Sequence, residues 1–149
     1  KGEDFGIAVS GNPFADTAAL GEAFYSEEAR VFDAERRVIL ELAEKGGCVI
    51  IGRCADYVLD GTEGLIRVFL YADIKVREER VRERNLYADK DVLKNIHRID
   101  RERRDYNRYY AGRDWEKPEN YDLLINTTQI GVDGAVQLIK DYLKMRGLL

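Results

Sequence analysis

The sequence predicts an α/β domain with a parallel sheet and flanking helices. Three observations carry that expectation. Short apolar runs of strand length lie at 48–51, 67–71 and 122–126. Longer helical segments fall before, between and after them, at 26–45, 73–86, 89–110 and 132–146. The chain has 149 residues, the size of one ordinary domain, so a single domain over 1–149 is expected. Strands that alternate with helices pair in parallel, because each crossover returns the chain in the same direction.

The first 25 residues are weakly patterned. Residues 5–9 have the composition of a short strand, and Ser10-Gly11-Asn12-Pro13 is a turn signal. Ser26 before Glu27 and Glu28 suits a helix start. Val31, Ala34, Val38 and Leu42 then form one stripe, with Ile39 and Ala43 beside it, and Lys45-Gly46-Gly47 stops the helix. Cys48-Val49-Ile50-Ile51 is expected to be a buried strand. At 132–146 the apolar face consists of Ala135, Val136, Leu138, Ile139, Tyr142 and Leu143. No apolar stretch approaches the roughly 18 residues that span a bilayer, and no apolar signal segment follows Lys1, so a cytoplasmic protein without membrane partners is expected. One His and two Cys are too few for a structural zinc site, so no metal ligands are expected among the side chains. Cys48 and Cys54 are expected to be buried thiols.

Charge is unevenly distributed. Of the 24 Lys and Arg, 13 lie in 75–113, leaving 11 elsewhere. Of the 28 Asp and Glu, eight lie there and 20 elsewhere. The segment is therefore net +5 on a body of net −9. Ten of its cations are arginines, whose planar fork grips phosphate or carboxylate with two hydrogen bonds. A local cationic segment on an acidic body suits a small anionic ligand. It suits a nucleic-acid partner poorly, because aromatics are not regularly interleaved with the cations.

The helix expected at 89–110 separates its charges from its apolar groups. At about 100° per residue, Lys94, Arg98, Arg101 and Arg108 gather around Asp105 on one face. Val92, Ile96, Ile99, Tyr106 and Tyr110 share the opposite face, interrupted by Arg103, which must pair or extend to solvent. His97 sits at the edge of the cationic face. Four like charges on one stripe repel unless an anion joins them.

With these residues in view, the chain resembles the cytidylate kinase-like family of P-loop nucleoside monophosphate kinases. Four places carry the resemblance, in order: Cys48 to Ile51 followed by Gly52-Arg53; Val68-Phe69-Leu70-Tyr71-Ala72 followed by Arg77, Arg80 and Arg84; the Arg-x3-Asp-x2-Arg pattern of Arg101, Asp105 and Arg108; and Tyr109-Tyr110, Gly112 and Trp115 followed by 121–126. The resemblance implies a three-layer, P-loop nucleoside-kinase-like fold with a helical arginine-rich lid over about 75–113. It implies transfer of the ATP γ-phosphate to a nucleoside monophosphate, CMP or dCMP, with ATP and Mg²⁺. By the same resemblance Arg101, Arg108 and Arg80 are catalytic, Arg53, Asp56 and Asp105 bind the acceptor, and Arg77 and Arg80 lie near the donor. In cytidylate kinases an Asp follows the Gly-Arg pair directly; here Cys54 holds that place and Asp56 lies two further on.

Phosphoryl transfer to a phosphate needs no strong base, only positioning and charge neutralisation, and an arginine-rich chain with one His suits that demand. One element of the family is missing. No Gly-x4-Gly-Lys-Ser/Thr occurs, and 11–17 lacks both its second Gly and its Lys. The sequence is therefore expected to be part of a longer protein. The alternative is a non-catalytic domain of the same ancestry that binds a nucleotide or another phosphorylated metabolite.

Overall fold

The computed structural model describes residues 27–149. The expected strand at 5–9, the turn after it, the Ser26 helix start and the segment 11–17 lie outside the described residues. The described chain divides into two compact units, with the boundary between Leu59 and Asp60.

In the first unit α1 (Glu27–Lys45) packs against the four-residue α2 (Ala55–Val58). In this unit Ala29, Ile39, Cys54, Ala55 and Leu59 are buried. The expected stripe is displaced: Val31, Val38 and Leu42 are exposed, and burial centres on the Ala29–Ile39 side. The strand expected at 48–51 is not formed. Val49 and Ile51 are 92% and 90% exposed, and Cys48 is an exposed free thiol while Cys54 is a buried one. Apolar composition satisfies only one requirement of a strand; the other is a neighbour to pair with, and among the described residues none pairs with this segment.

The second unit holds the sheet. Strands β1 (Val68–Tyr71) and β2 (Leu123–Asn126) pair in parallel, Val68 opposite Leu123 through Tyr71 opposite Asn126. Both strands were legible, and the described sheet consists of these two. The crossover between them contains α3 (Ile74–Glu83), a 3₁₀ turn (Asp89–Asp91), α4 (Val92–Ala111) and a second 3₁₀ turn (Pro118–Asn120). After β2 comes α5 (Thr127–Met145), which packs on both strands.

Local chemistry fixes these boundaries. The start of the sheet is clasped by Arg67 and Asp122. The Arg67 backbone N–H donates to Asp122 Oδ2 at 2.7 Å, and its Nε and Nη2 donate to Oδ2 and Oδ1, each at 3.2 Å. The N–H groups of Asp122 and Leu123 donate in return to the Arg67 carbonyl. Asn126 caps α5, its Oδ1 accepting from the Thr128 N–H at 2.9 Å. Gly131 then breaks α5 at φ 67°, ψ −166°, a region open essentially to glycine. The helix expected from 132 is thus the longer part of α5, and the turn before the break was not foreseen. Gly112, at φ 63°, closes α4 in the left-handed conformation. The apolar face of α4 is buried as expected at Val92 (0% exposed) and Ile96, each worth roughly 1.5–3 kcal/mol.

The Arg67 guanidinium holds the Asp122 carboxyl below the usual carboxylate range, against an opposing push from partial burial. A lowered folded-state value stabilises the fold above the unfolded value of about 3.9 and is lost as pH falls through the lowered one. Asp122→Asn is expected to cost about 1.5–3 kcal/mol in urea unfolding at pH 7. The difference between variant and parent should shrink progressively below about pH 4.

Candidate functional site

The carboxyl ends of parallel strands are where open α/β sheets place ligands. Here those ends are organised by arginines from α3. Arg80 donates through Nη1 to Thr127 Oγ1 and through Nη2 to the Thr127 carbonyl, each at 2.8 Å, and the Thr127 hydroxyl donates to the Tyr71 carbonyl at 3.1 Å. Arg80 thereby holds Thr127 at the start of α5, and the Thr127 hydroxyl joins it to the end of β1. Alongside, the Asp73 N–H donates to Thr128 Oγ1 at 2.8 Å. A cavity of about 310 Å³ opens there, lined by Asp73, Asn126, Thr128, Gln129 and Ile130. Sequence reading passed over these residues; the signal was the polar run Asn126-Thr127-Thr128 directly after an apolar strand.

Arg77 has a different partner. Its Nη2 lies 2.8 Å from both carboxylate oxygens of Asp100, which is 8% exposed. Arg103 Nη1 lies 3.3 Å from Asp100 Oδ1, and the Arg103 guanidinium stands over the Trp115 ring at 5.6 Å. That arrangement accommodates the arginine on the apolar face of α4, and a buried carboxylate requires such partners. Arg77 and Arg80 therefore differ in charge balance. Arg77 is neutralised by Asp100. Arg80 is held by a hydroxyl and a carbonyl, both neutral, and no ion pair among the described residues offsets its charge.

The solvent face of α4 carries the third group. Arg101 is exposed and, among the described residues, is engaged by no ion pair or hydrogen bond; Asp105 is exposed four residues on. Arg108 Nη2 lies 2.9 Å from Asp114 Oδ1. That hydrogen bond and charge, with a smaller attraction from Asp105, raise the Arg108 pKa. His97 faces solvent. Beyond α4, Arg108, Gly112, Arg113, Asp114, Lys117 and Asn120 line a second cavity of about 270 Å³. Trp115 and Tyr121 pack on Phe69, at 5.1 and 5.0 Å between ring centroids, so these aromatics support the sheet.

In the first unit Gly52, Arg53 and Cys54 all have left-handed φ, at 75°, 55° and 51°. Such backbone costs about 1–2 kcal/mol at each non-glycine position. Arg53 Nε lies 3.3 Å from Glu35 Oε1, the Arg53 side chain is exposed, and Asp56 lies in the first turn of α2. No group of three His, Cys, Asp or Glu suited to a metal occurs among the described residues, and no helix there is long and apolar enough to cross a membrane.

The two classes of arginine should separate on mutation. Arg80→Ala is expected to cost about 1.5–3 kcal/mol, because it orphans the Thr127 groups. Arg101→Ala should stay within about 0.5 kcal/mol. Urea denaturation of the two variants against the parent measures both.

Comparison with known proteins places the chain in a family. The family model described as "Cytidylate kinase-like family" matches residues 7–129. A cytidylate kinase from Pyrococcus horikoshii is 32% identical over 110 residues, covering 72% of this chain and 55% of that protein. One from Thermococcus sibiricus is 34% identical over 110 residues, covering 72% and 54%. The chain thus spans little more than half the length of these relatives. An uncharacterized protein from Eubacterium ventriosum, known from its crystal structure, superposes with a TM-score of 0.75 at 28% identity, over 83% of this chain and 69% of that one. With the family match spanning most of its length, this chain belongs to the cytidylate kinase-like family.

Proposed function

We propose that this chain is the substrate-handling part of a nucleoside monophosphate kinase that moves the γ-phosphate of ATP to CMP or dCMP within a three-layer P-loop fold. The observation that carries the reading is the exposed Arg101, engaged by no described residue, on the same helix face as Asp105 and Arg108. A cation left open beside another cation is a standing invitation to an anion, and the family pattern Arg-x3-Asp-x2-Arg falls on these three residues.

In this reading an oxygen of the acceptor phosphate attacks the γ-phosphorus in line. A new O–P bond forms, the bond to the β,γ-bridging oxygen breaks, and ADP leaves with that electron pair. The nucleophile is already anionic, so no described His or carboxylate has to remove a proton. Arg101 and Arg108 grip the phosphates, and Asp105 accepts from a sugar hydroxyl or holds the arginines in place. Arg53 binds the acceptor phosphate, with Asp56 as a second acceptor contact. Arg80, whose charge no described carboxylate balances, faces the charge that builds on the donor. Arg77, already paired with Asp100, holds α3 against α4 near the donor. The described residues offer no cluster that would hold Mg²⁺ by themselves, so no step is assigned to that ion.

One feature favours a second reading. The chain has no Gly-x4-Gly-Lys-Ser/Thr, and a domain of this ancestry without a phosphate loop binds a nucleotide or phosphorylated metabolite without transferring phosphate.

A coupled assay of ADP release decides between them. It is run with MgATP and CMP, dCMP, UMP or AMP, on the chain and on the chain extended by its flanking coding sequence. The kinase reading expects turnover in the extended protein with CMP or dCMP preferred, and at least a 100-fold fall in kcat/KM for Arg101→Ala, about 2.7 kcal/mol. Unchanged turnover in Arg101→Ala would reject the site. Binding of CMP without turnover in either form would establish the second reading.

A further inference from the structure

The buried residues of α4 are Val92, Ile96 and Asp100. Their spacing puts them in one row along the helix. The row starts with two apolar side chains and ends on a carboxylate. Apolar contact holds two helices together but has no direction. A charge-assisted hydrogen bond has both a length and a direction. Arg77 Nη2 of α3, 2.8 Å from both oxygens of Asp100, therefore fixes the angle of α4 as well as its distance from α3. Arg103 Nη1, 3.3 Å from Asp100 Oδ1, steadies the same carboxylate from within α4. α3 is itself tied down, because Arg80, one turn beyond Arg77, donates to Thr127. Polar contacts thus run from the start of α5 through α3 to Asp100.

Arg101 follows Asp100 and lies about 100° round the helix from it. The other arginines of α4 each pair with a carboxylate: Arg98 with Glu102, Arg103 with Asp100, Arg104 with Glu116 and Arg108 with Asp114. Asp105 also attracts Arg108 from the same face. Among the described residues no ion pair or hydrogen bond holds the Arg101 side chain. Where its charge is presented therefore depends on the setting of α4. A rotation of about 20° moves groups at the helix surface, about 5–6 Å from the axis, by roughly 2 Å.

We propose that Asp100 is a positioning residue: gripped by Arg77, it sets the angle at which α4 presents Arg101 and Arg108 to the acceptor phosphate. The inference deepens the kinase reading and rests on its assignment of those two arginines to a phosphorylated substrate. Stability alone does not call for the pair. A buried ion pair stabilises a fold little more than apolar residues of the same volume, and its best attested use is to set register.

Isothermal titration of the full chain with CMP, beside urea unfolding of the same variants, tests it. Asp100→Asn should bind CMP about 3- to 10-fold more weakly, and kcat/KM of the extended protein should fall about 10- to 100-fold, the scale of a 1 Å misplacement. The direction is diagnostic. Removing a carboxylate beside a phosphate site strengthens anion binding if charge alone matters, so weaker binding reports lost alignment. The double variant Arg77→Met, Asp100→Leu should keep the urea midpoint of the parent or raise it, yet bind CMP as weakly as Asp100→Asn. It also serves should Asp100→Asn fail to fold. Arg82→Gln removes a cation from the same helix, where it pairs with Glu78 and Asp89, and should leave affinity unaltered. The proposal is overturned if the double variant binds CMP as the parent does, or loses stability in step with affinity. It is overturned equally if Asp100→Asn binds CMP more tightly, or if Arg82→Gln weakens binding as much. CMP affinity unchanged in Arg101→Ala would reject the phosphate site and this proposal with it. Pair-dependent CMP affinity without phosphoryl transfer would keep the role of Asp100 and reject the kinase. Transfer with unaltered kcat and KM for CMP in both pair variants would keep the kinase and reject the role.

Discussion

The parallel pairing of β1 with β2 is the constraint on which the second unit depends, and two arginines hold it from opposite ends. Arg67 clasps Asp122 where the strands begin. Arg80 ties Thr127 to the Tyr71 carbonyl where they finish. Two four-residue strands bury little by themselves and form few ladder bonds. The clasps fix their register, and the register fixes where the crossover departs and returns. Because α3 leaves directly after β1, its arginines are delivered to the strand ends without a long loop. The Arg77–Asp100 pair then sets α4 against α3, which leaves the opposite face of α4 for solvent.

Arginine serves three purposes within one short segment, and the surroundings decide which. Paired with a buried carboxylate, as at Arg77, it is structural and neutralised. Held by neutral oxygens, as at Arg80, it is structural but keeps its charge for use. Exposed beside another cation, as at Arg101, it contributes little to folding and its charge is available to a ligand. Phosphoryl transfer draws on the last two conditions, since it depends on fixed positive charge placed before the reaction begins.

Much of this was legible in the sequence where local pattern and tertiary environment agree. β1, β2 and the three longer helices α1, α4 and α5 follow from apolar spacing and turn residues, and the segregated faces of α4 follow from angular position alone. Asp100 was missed because it lies at the edge of the apolar face, where a wheel cannot say whether a partner will arrive from another helix. Thr127 was missed because its role depends on Arg80, 47 residues earlier. The segment 48–51 looks like a strand because its residues favour one, yet strand formation depends on a neighbour that composition does not reveal. The stripe on α1 misled for a related reason: four apolar positions in line indicate which face wants cover, and composition does not reveal what will cover it.

Arg101 and Arg108 on the outer face of α4 meet phosphate in this reading, while Arg67 and Arg77 maintain the fold. Guanidinium Nε–H resonances of the labelled chain, followed by NMR during titration with CMP, distinguish the two groups directly. Large shifts and slowed solvent exchange are expected at Arg101 and Arg108, with Arg67 and Arg77 unmoved. Perturbation concentrated at Arg67 and Arg77, with the signals of Arg101 and Arg108 left as in the free protein, would contradict it.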